Sequence, residues 1–430
     1  MRPAKVKELM SKEMQQDLVP VHGGLTSPID RVVPLSERSA FLAKAAGFPV
    51  MKVTDADLST VYRLADGALS PLEGPMKEAE YHQVLDSAFI ARNGARYAWT
   101  IPLSLPLADD EAASVEAGGS VAVQNEAGEI VAIVDDCEIF DWDKAKYVLS
   151  VYGTERFDHP GGNIVERDPR SKLLGGSIRS LPQPASSAYG EFMLSPTMVR
   201  SLIRDRKWER ALAFQTRNPL HRAHEYALVC GVEELTAEGH FTGAVLNPLV
   251  GELKGDDVPA AVRMECYRAL HSKKLLGEGD KDEAVWAKAG YDITEVFELL
   301  GLDIKMFYGG PKEAVMHAIY RQNYGFSDIV IGRKHADAPY TDGSPIWGDF
   351  DAHEIFDKLE GELHIQPRKI GFAAYYENLG RVDLTERHPD EKPFGISGTK
   401  VREQLKAGER PDVRIMRPET SDVLIKAYTD

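Results

Sequence analysis

Residues 211–214 (Ala-Leu-Ala-Phe) are an apolar run too short for a helix, and from residue 221 onward apolar positions recur at Ala223, Tyr226, Ala227 and Val229. A buried strand passing into a helix over 221–235 fits both stretches. The loop between them, 215–220, then has little freedom: it leaves the carboxyl end of a strand and meets the start of a helix. Pro219 suits a pre-helical position, and the helix turns its unpaired N–H groups and positive dipole end toward the loop. An anion is favoured there. Arg217 adds a fixed positive charge, Gln215 and Asn218 supply neutral donors, and His221 and His224, three residues apart, project from one side of the first turn. A lone histidine at a helix start is usually a cap or a surface residue. The full cluster points instead to phosphates or other oxyanions.

The surrounding chain supports that placement. From 210 to 345, strands expected at 211–214, 243–247, 304–308 and 328–331 alternate with helices, which predicts a parallel sheet with helices on both faces and ligands at the carboxyl ends of its strands. Residues 1–185 hold short apolar runs broken by Gly, Pro and Asp, including a hairpin over 119–134, and read as a mainly β domain with a few helices. A linker over 181–187 follows. Ser195 then caps a helix with Pro196 at its first position, within a second domain over 186–345. Residues 346–430 form a smaller α/β unit, with a helix over 399–407 opened by Ser397 and closed by Gly408.

Length and composition set outer limits. A chain of 430 residues has room for two or three domains with cores of their own, and 43% hydrophobic content is ordinary for a globular protein. No run of 18 apolar residues occurs and the start, Met1-Arg-Pro-Ala-Lys-Val-Lys, has no apolar signal-peptide core, so a cytoplasmic protein with no membrane partner is expected. Cys137, Cys230 and Cys266 are three, widely spaced, which fits neither a disulfide framework nor a CxxC zinc site. The net charge of −16 argues against a nucleic-acid partner, and any attraction for anions must be local.

The string Gln215-Thr-Arg-Asn-Pro-Leu-His-Arg-Ala-His-Glu225 resembles the signature of the ATP sulfurylase (sulfate adenylyltransferase) family, within the nucleotidylyltransferase superfamily. Further segments resemble the family in the same order: Gly67-Ala-Leu-Ser-Pro-Leu-Glu-Gly74, Leu246-Asn-Pro-Leu-Val-Gly251 with Lys254, Asp256 and Asp257, Tyr308-Gly-Gly-Pro311, Ile329-Val-Ile-Gly-Arg-Lys-His-Ala336, and Ile396-Ser-Gly-Thr-Lys-Val-Arg-Glu403. The resemblance covers nearly the whole chain. It implies an α/β fold with a Rossmann-like parallel-sheet nucleotidylyltransferase domain, an amino-terminal PUA-like domain of structural role, and a small carboxy-terminal α/β subdomain.

It also implies a reaction, in which a sulfate oxygen attacks the α-phosphorus of ATP directly, giving adenosine 5′-phosphosulfate and pyrophosphate. Sulfate needs no general base. Repulsion is the obstacle, since two unit charges about 4 Å apart interact by about 4 kcal/mol at an effective dielectric near 20. By resemblance, Gln215, Arg217 and the backbone of Ala336 contact sulfate. Gln215, Thr216, Asn218, His221, His224 and Arg333 contact ATP, and His221, His224, Arg217 and Asn218 carry the chemistry. Mg²⁺ is expected as the partner of ATP rather than on protein ligands, and a homo-oligomer, a dimer, is implied. The cysteine-rich zinc loop of some members has no counterpart at 375–388, and no P-loop pattern indicates a fused adenylylsulfate kinase. Asn247, Lys334 and Asp337 depart from the family pattern, which usually has His, Asp and Gly there. Other readings remain open: a related nucleotidylyltransferase with a different acceptor, which would not need Gln215 and Arg217, or a non-catalytic nucleotide- or RNA-binding protein built on the β domain.

Overall fold

The computed structural model describes residues 18–251 and 258–429, so Lys254, Asp256 and Asp257 lie outside the described residues. Its second half is built on five parallel strands: β1 (Arg210–Phe214), β2 (Thr242–Leu246), β3 (Phe297–Leu299), β4 (Asp328–Gly332) and β5 (Gln366–Ile370). They lie in the order β3-β2-β1-β4-β5, and helix α1 (Pro196–Arg206), capped by Ser195 as expected, leads into β1.

Both faces of this sheet are buried, which is why its central strands read as continuous apolar runs. Side chains alternate between the faces. Leu212, Ala244, Leu246 and Val330 pack with Leu228, Val229 and Val232 of helix α2 (Arg222–Ala237), while Ala213, Val245, Ile329 and Ile331 pack with Val315 and Ile319 of α3 (Gly310–Tyr324) on the opposite face. The chain leaves β1 for β2 through α2 and later returns past β1 to β4 through α3. The carboxyl ends of β1 and β4 therefore part, and a crevice opens between them. The 215–224 motif follows β1 and the 333–337 segment follows β4.

Strand Gln366–Ile370 lies within the stretch expected to form the carboxy-terminal unit, yet it completes the parallel sheet alongside β4. Beyond it, the hairpin β6 (Ala373–Tyr376) and β7 (Arg381–Leu384) and the helices α4 (Gly398–Lys406) and α5 (Pro418–Thr429) close the chain.

One expected strand is absent. Residues 304–308 form no strand, and the third strand of the sheet is the earlier Phe297–Leu299. The reason lies in the amino-terminal unit: Ser59 Oγ donates to Asp303 Oδ1 (2.9 Å), Arg63 Nη1 to the carbonyl of Asp303 (3.0 Å), and Tyr152 Oη to that of Phe307 (2.9 Å). Lys305 is bonded to Asp57 (2.7 Å). These ties draw the segment off the sheet and into the seam between the two units.

The amino-terminal sheet runs Val50–Lys52, Ser120–Gln124, Ile130–Asp141, Lys172–Ser180 and Leu105–Leu107, antiparallel except for its first pair, and it includes the expected hairpin. Helices pack around it. Its core, with Val61, Leu64, Trp99 and Val151, is continuous with the core beneath α3. That continuity holds the start of α3 rigidly at the crevice.

Candidate active site

Three pieces of backbone meet at the switch point: the loop 215–221, the turn 307–310 leading into α3, and the turn 333–337 after β4. The first is shaped by its own side chains. Thr216 Oγ1 accepts from Asn218 N–H (3.2 Å) and donates to the carbonyl of Asn218 (3.1 Å), which also accepts from Tyr267 Oη (2.8 Å). Thr216 is buried in this role, and the Asn218 side chain is exposed.

His221 is the N-cap of α2. Its Nδ1 accepts from the backbone N–H of His224 at 3.3 Å, and the two rings stack with centroids 3.8 Å apart at 21°. An Nδ1 that accepts is unprotonated, so the remaining proton of a neutral ring sits on Nε2 as a donor. Both rings are neutral in the free protein. Burial, aided by the neighbouring His224, lowers His221 to about 3, and burial lowers His224 to about 4.

These shifts carry a stability consequence. The folded state binds fewer protons than the unfolded state between the ordinary histidine value and these depressed values, so stability is fully present above about pH 6.5 and falls as the pH drops through 6 and 5. Each histidine contributes a slope of about 1.4 kcal/mol per pH unit in that window. Urea unfolding at pH 7 and pH 5 should show the loss, and a His221→Asn/His224→Asn protein should show a shallower one. An equal slope in both proteins would assign the acid sensitivity elsewhere.

Arg217 reaches into the crevice with its guanidinium over the ring of Tyr308, 5.3 Å from the centroid, and its Nη1 is buried without a hydrogen-bond partner. A buried guanidinium nitrogen left unmatched is costly unless a ligand supplies the acceptor. Behind it, Arg321 is fully buried, donating from Nε to Asn247 Oδ1 (2.8 Å) and from Nη1 to the carbonyl of His317 (3.3 Å). Burial pushes its guanidinium down to about 9. Asn247 itself donates to the carbonyl of Leu300 (2.5 Å), so this departure from the family pattern is a buried tie between strands and helix rather than a group lining the crevice.

The turn after β4 is joined to the start of α3 by a bond from Gly310 N–H to the carbonyl of Ala336 (3.2 Å). Lys334 and Ala336 both adopt left-handed backbone, with φ of 53° and 54°. Arg333 is stacked on Phe372 at 3.3 Å and paired with Asp349 (2.5 Å), which also holds Lys334 (3.3 Å). The extra charge of Lys334 is thus met within the protein. Asp337 is pushed up by burial, and its Oδ1 has no partner.

Gln215, Arg217, His221 and His224 share one loop and helix start, and Ala336 and Arg333 stand on the facing turn. Gln215 is linked across to that turn through residues that motif reading passed over: its Nε2 lies 3.0 Å from His317 Nδ1, which lies 3.0 Å from His335 Nε2. The available signal was the spacing of Glu313 and His317, four apart just after Gly-Gly-Pro. Arg222 turns away to a bidentate bond with Asp280 (2.8 and 2.6 Å), and Lys400 and Arg402 are exposed on α4. Beside His221 an apolar cavity of about 250 Å³ opens between α2, the β6–β7 hairpin and residues 394–401, lined by Ala373, Ala374, Tyr375, Phe394 and Ile396. Among the described residues no group of three or more His, Cys, Asp or Glu side chains could hold a metal ion.

The ATP-sulfurylase family profile matches residues 190–427, and a PUA-like domain profile matches residues 19–183. The chain is 50% identical to the sulfate adenylyltransferase of Pyropia yezoensis over 412 residues, covering 95% of this chain and 97% of the relative. It is 35% identical to that of Desulforamulus reducens over 416 residues, covering 96% of this chain and 98% of the relative. Among solved structures, a hexameric APS kinase from Thiobacillus denitrificans shares the fold, with a TM-score of 0.70 at 19% identity over 95% of this chain and 68% of that one.

Proposed function

The chain belongs to the ATP-sulfurylase family, and on that premise we propose that it is a sulfate adenylyltransferase, converting ATP and sulfate reversibly to adenosine 5′-phosphosulfate and pyrophosphate by direct attack of sulfate on the α-phosphorus. The observation that carries the reading is the unmatched, buried Nη1 of Arg217, set beside Gln215 on the loop that meets the N-terminus of α2.

The work is positioning and charge neutralisation. Arg217, Gln215 and the backbone of Ala336 hold sulfate. The adenine base fits the apolar cavity beside His221, which directs the phosphates along the start of α2, past Asn218, His221 and His224, toward Arg333. The Nε2–H of His221 donates to the α-phosphate as its charge rises, and His224 supports the departing pyrophosphate. Thr216 acts on ATP through the loop it folds. The neutral state of both rings suits this task, because a neutral imidazole donates a bond without losing a proton.

Mg²⁺ would arrive with ATP. The unmatched atoms at the crevice include the single oxygens Gln215 Oε1 and Asp337 Oδ1 but no cluster of carboxylates among the described residues, so a hard divalent cation would take most of its oxygens from the phosphates of ATP. Bound with ATP, it would supply charge neutralisation to the leaving pyrophosphate. No P-loop pattern occurs in the 430 residues, so the reaction given to them ends at adenylyl transfer and the chain reads as monofunctional. Among the described residues no helix is long and apolar enough to cross a membrane; we place the reaction in the cytoplasm, where ATP is supplied, and take the protein as a homo-oligomer, a dimer in the first instance.

Pyrophosphate release from MgATP should depend on sulfate, and molybdate should substitute for it. Release that ignores both anions would return the chain to the wider nucleotidylyltransferases with another acceptor.

A further inference from the structure

Gln215 is held by a chain of buried side chains to which the proposed reaction gives no part. His317 and Glu313 have essentially no exposed surface. His317 Nδ1 lies 3.0 Å from Gln215 Nε2 and 3.0 Å from His335 Nε2, while its Nε2 faces Glu313 Oε1 at 3.4 Å, an ion-pair separation with no hydrogen bond formed at that nitrogen. Glu313 in turn accepts from the backbone N–H groups of Phe307 (2.8 Å) and Gly309 (2.9 Å).

The proton positions follow from these contacts. A lone pair on His317 Nε2 would face a carboxylate oxygen, so the proton belongs on Nε2 and leaves Nδ1 bare. A bare Nδ1 only accepts. Its single lone pair is then shared by two donors, the amide nitrogen of Gln215 and a proton on His335 Nε2. The carbonyl end of Gln215 is consistent with this: Oε1 is buried and has no partner, so it is not the end offered to the open crevice.

We propose that Glu313 and His317 lock the Gln215 amide in its donor orientation, and that this lock makes the anion subsite select fully deprotonated tetrahedral oxyanions against those that carry an O–H. The inference rests on the assignment of Gln215 and Arg217 to sulfate. One Nε2 hydrogen of Gln215 is used by His317, and the other faces the anion together with the guanidinium of Arg217. Sulfate has only acceptor oxygens and satisfies both. Hydrogen phosphate has the same shape and charge, but its O–H needs an acceptor, and a donor left unmatched in a desolvated site weakens binding by about tenfold to a hundredfold. A free amide could rotate to offer Oε1 to that hydroxyl. The locked amide cannot.

The test compares the native protein with Glu313→Gln, which keeps volume but lets either face of an amide meet His317, and with His317→Asn, which keeps a polar atom near Nδ1 but severs the tie to Glu313. In each, KM for sulfate should rise by about threefold to tenfold while KM for MgATP stays within about twofold. The ratio of the inhibition constant of inorganic phosphate to KM for sulfate should fall by about fivefold or more as the amide becomes free to turn. Nitrogen-15 spectra of histidine-labelled native protein should show His317 with a bare Nδ1 and a protonated Nε2, and Glu313→Gln should show a mixture. A raised sulfate KM with an unchanged phosphate ratio in both variants would leave Glu313 as a brace for residues 307–309 and overturn the lock, as would a native His317 protonated on Nδ1. Should Glu313→Gln fail to fold, His317→Asn decides the ratio. Absence of sulfate-dependent turnover in the native protein would instead strike the functional reading and the sulfate half of the proposal, while the nitrogen spectra still decide the lock.

Discussion

Arg217→Ala is expected to lower sulfate-dependent pyrophosphate release by about 10³-fold or more, because it removes the fixed charge and the donors aimed at the incoming anion. The same substitution should leave the fold intact. Its guanidinium carries a buried, unmatched Nη1 and lies against the ring of Tyr308. Losing that contact costs about 0.5–1 kcal/mol, while removing a desolvated charge returns a comparable amount. The melting temperature should therefore move by no more than about 4 °C in either direction. Side chains present for structure rarely behave this way: Arg210, bidentate to the fully buried Asp328 (2.8 and 2.6 Å), would leave that carboxylate with Arg368 as its remaining cation (2.9 Å) if removed. Initial rates against sulfate at saturating MgATP, with scanning calorimetry on the same samples, check both halves. Activity within tenfold of native would take Arg217 out of the site.

The contrast between those two arginines also shows what the sequence could and could not reveal. Arg217 was legible because its neighbours are local. A short apolar run, a proline, a cap and two histidines lie within residues 211–224, and strand, loop and helix follow from contacts between near neighbours. β1, β2 and β4 were legible for the same reason, being apolar on both faces. The segment 304–308 has similar residues, Ile-Lys-Met-Phe-Tyr, but Ser59 and Arg63 hold Asp303 just before it and Tyr152 holds the carbonyl of Phe307, all from more than 150 positions away, and local propensity contains no trace of them. β5 was obscured in the opposite sense. Gln366-Pro-Arg-Lys-Ile370 is polar and contains a proline, as suits an edge strand, and only its pairing with β4 makes it part of the sheet.

Glu313 and His317 were missed for a subtler reason. A Glu and a His four apart on a helix is the ordinary pattern of a solvated pair. Nothing in the local sequence says that this face of α3 is pressed between the parallel sheet and the amino-terminal unit, where Ala314, Val315, Ala318 and Ile319 are all buried as well. The function of the pair emerges only when β1 and β4 bring Gln215 and His335 to the same imidazole. The departures at 247 and 334 follow the same logic: Asn247 is engaged by Arg321 and Lys334 by Asp349, partners 74 and 15 positions away.

His221 is the residue at which structure and chemistry can be pulled apart most cleanly. Its Nδ1 caps α2, and in the proposed reaction its Nε2–H donates to the α-phosphate. Asparagine is a good N-cap whose side-chain oxygen can replace Nδ1, but it has nothing at the position of Nε2. His221→Asn should therefore retain native stability and lose about 10²- to 10³-fold in kcat, the usual loss when one donor to a developing charge is removed. His221→Ala loses the cap too, and should add about 1 kcal/mol of destabilisation to the same kinetic defect. The two losses should appear in different measurements, kcat in both variants and unfolding free energy in alanine alone. If asparagine restored kcat, the capping bond rather than the donor would be what the reaction needs, and the role of His221 would shrink to holding the first turn of α2 in place for His224.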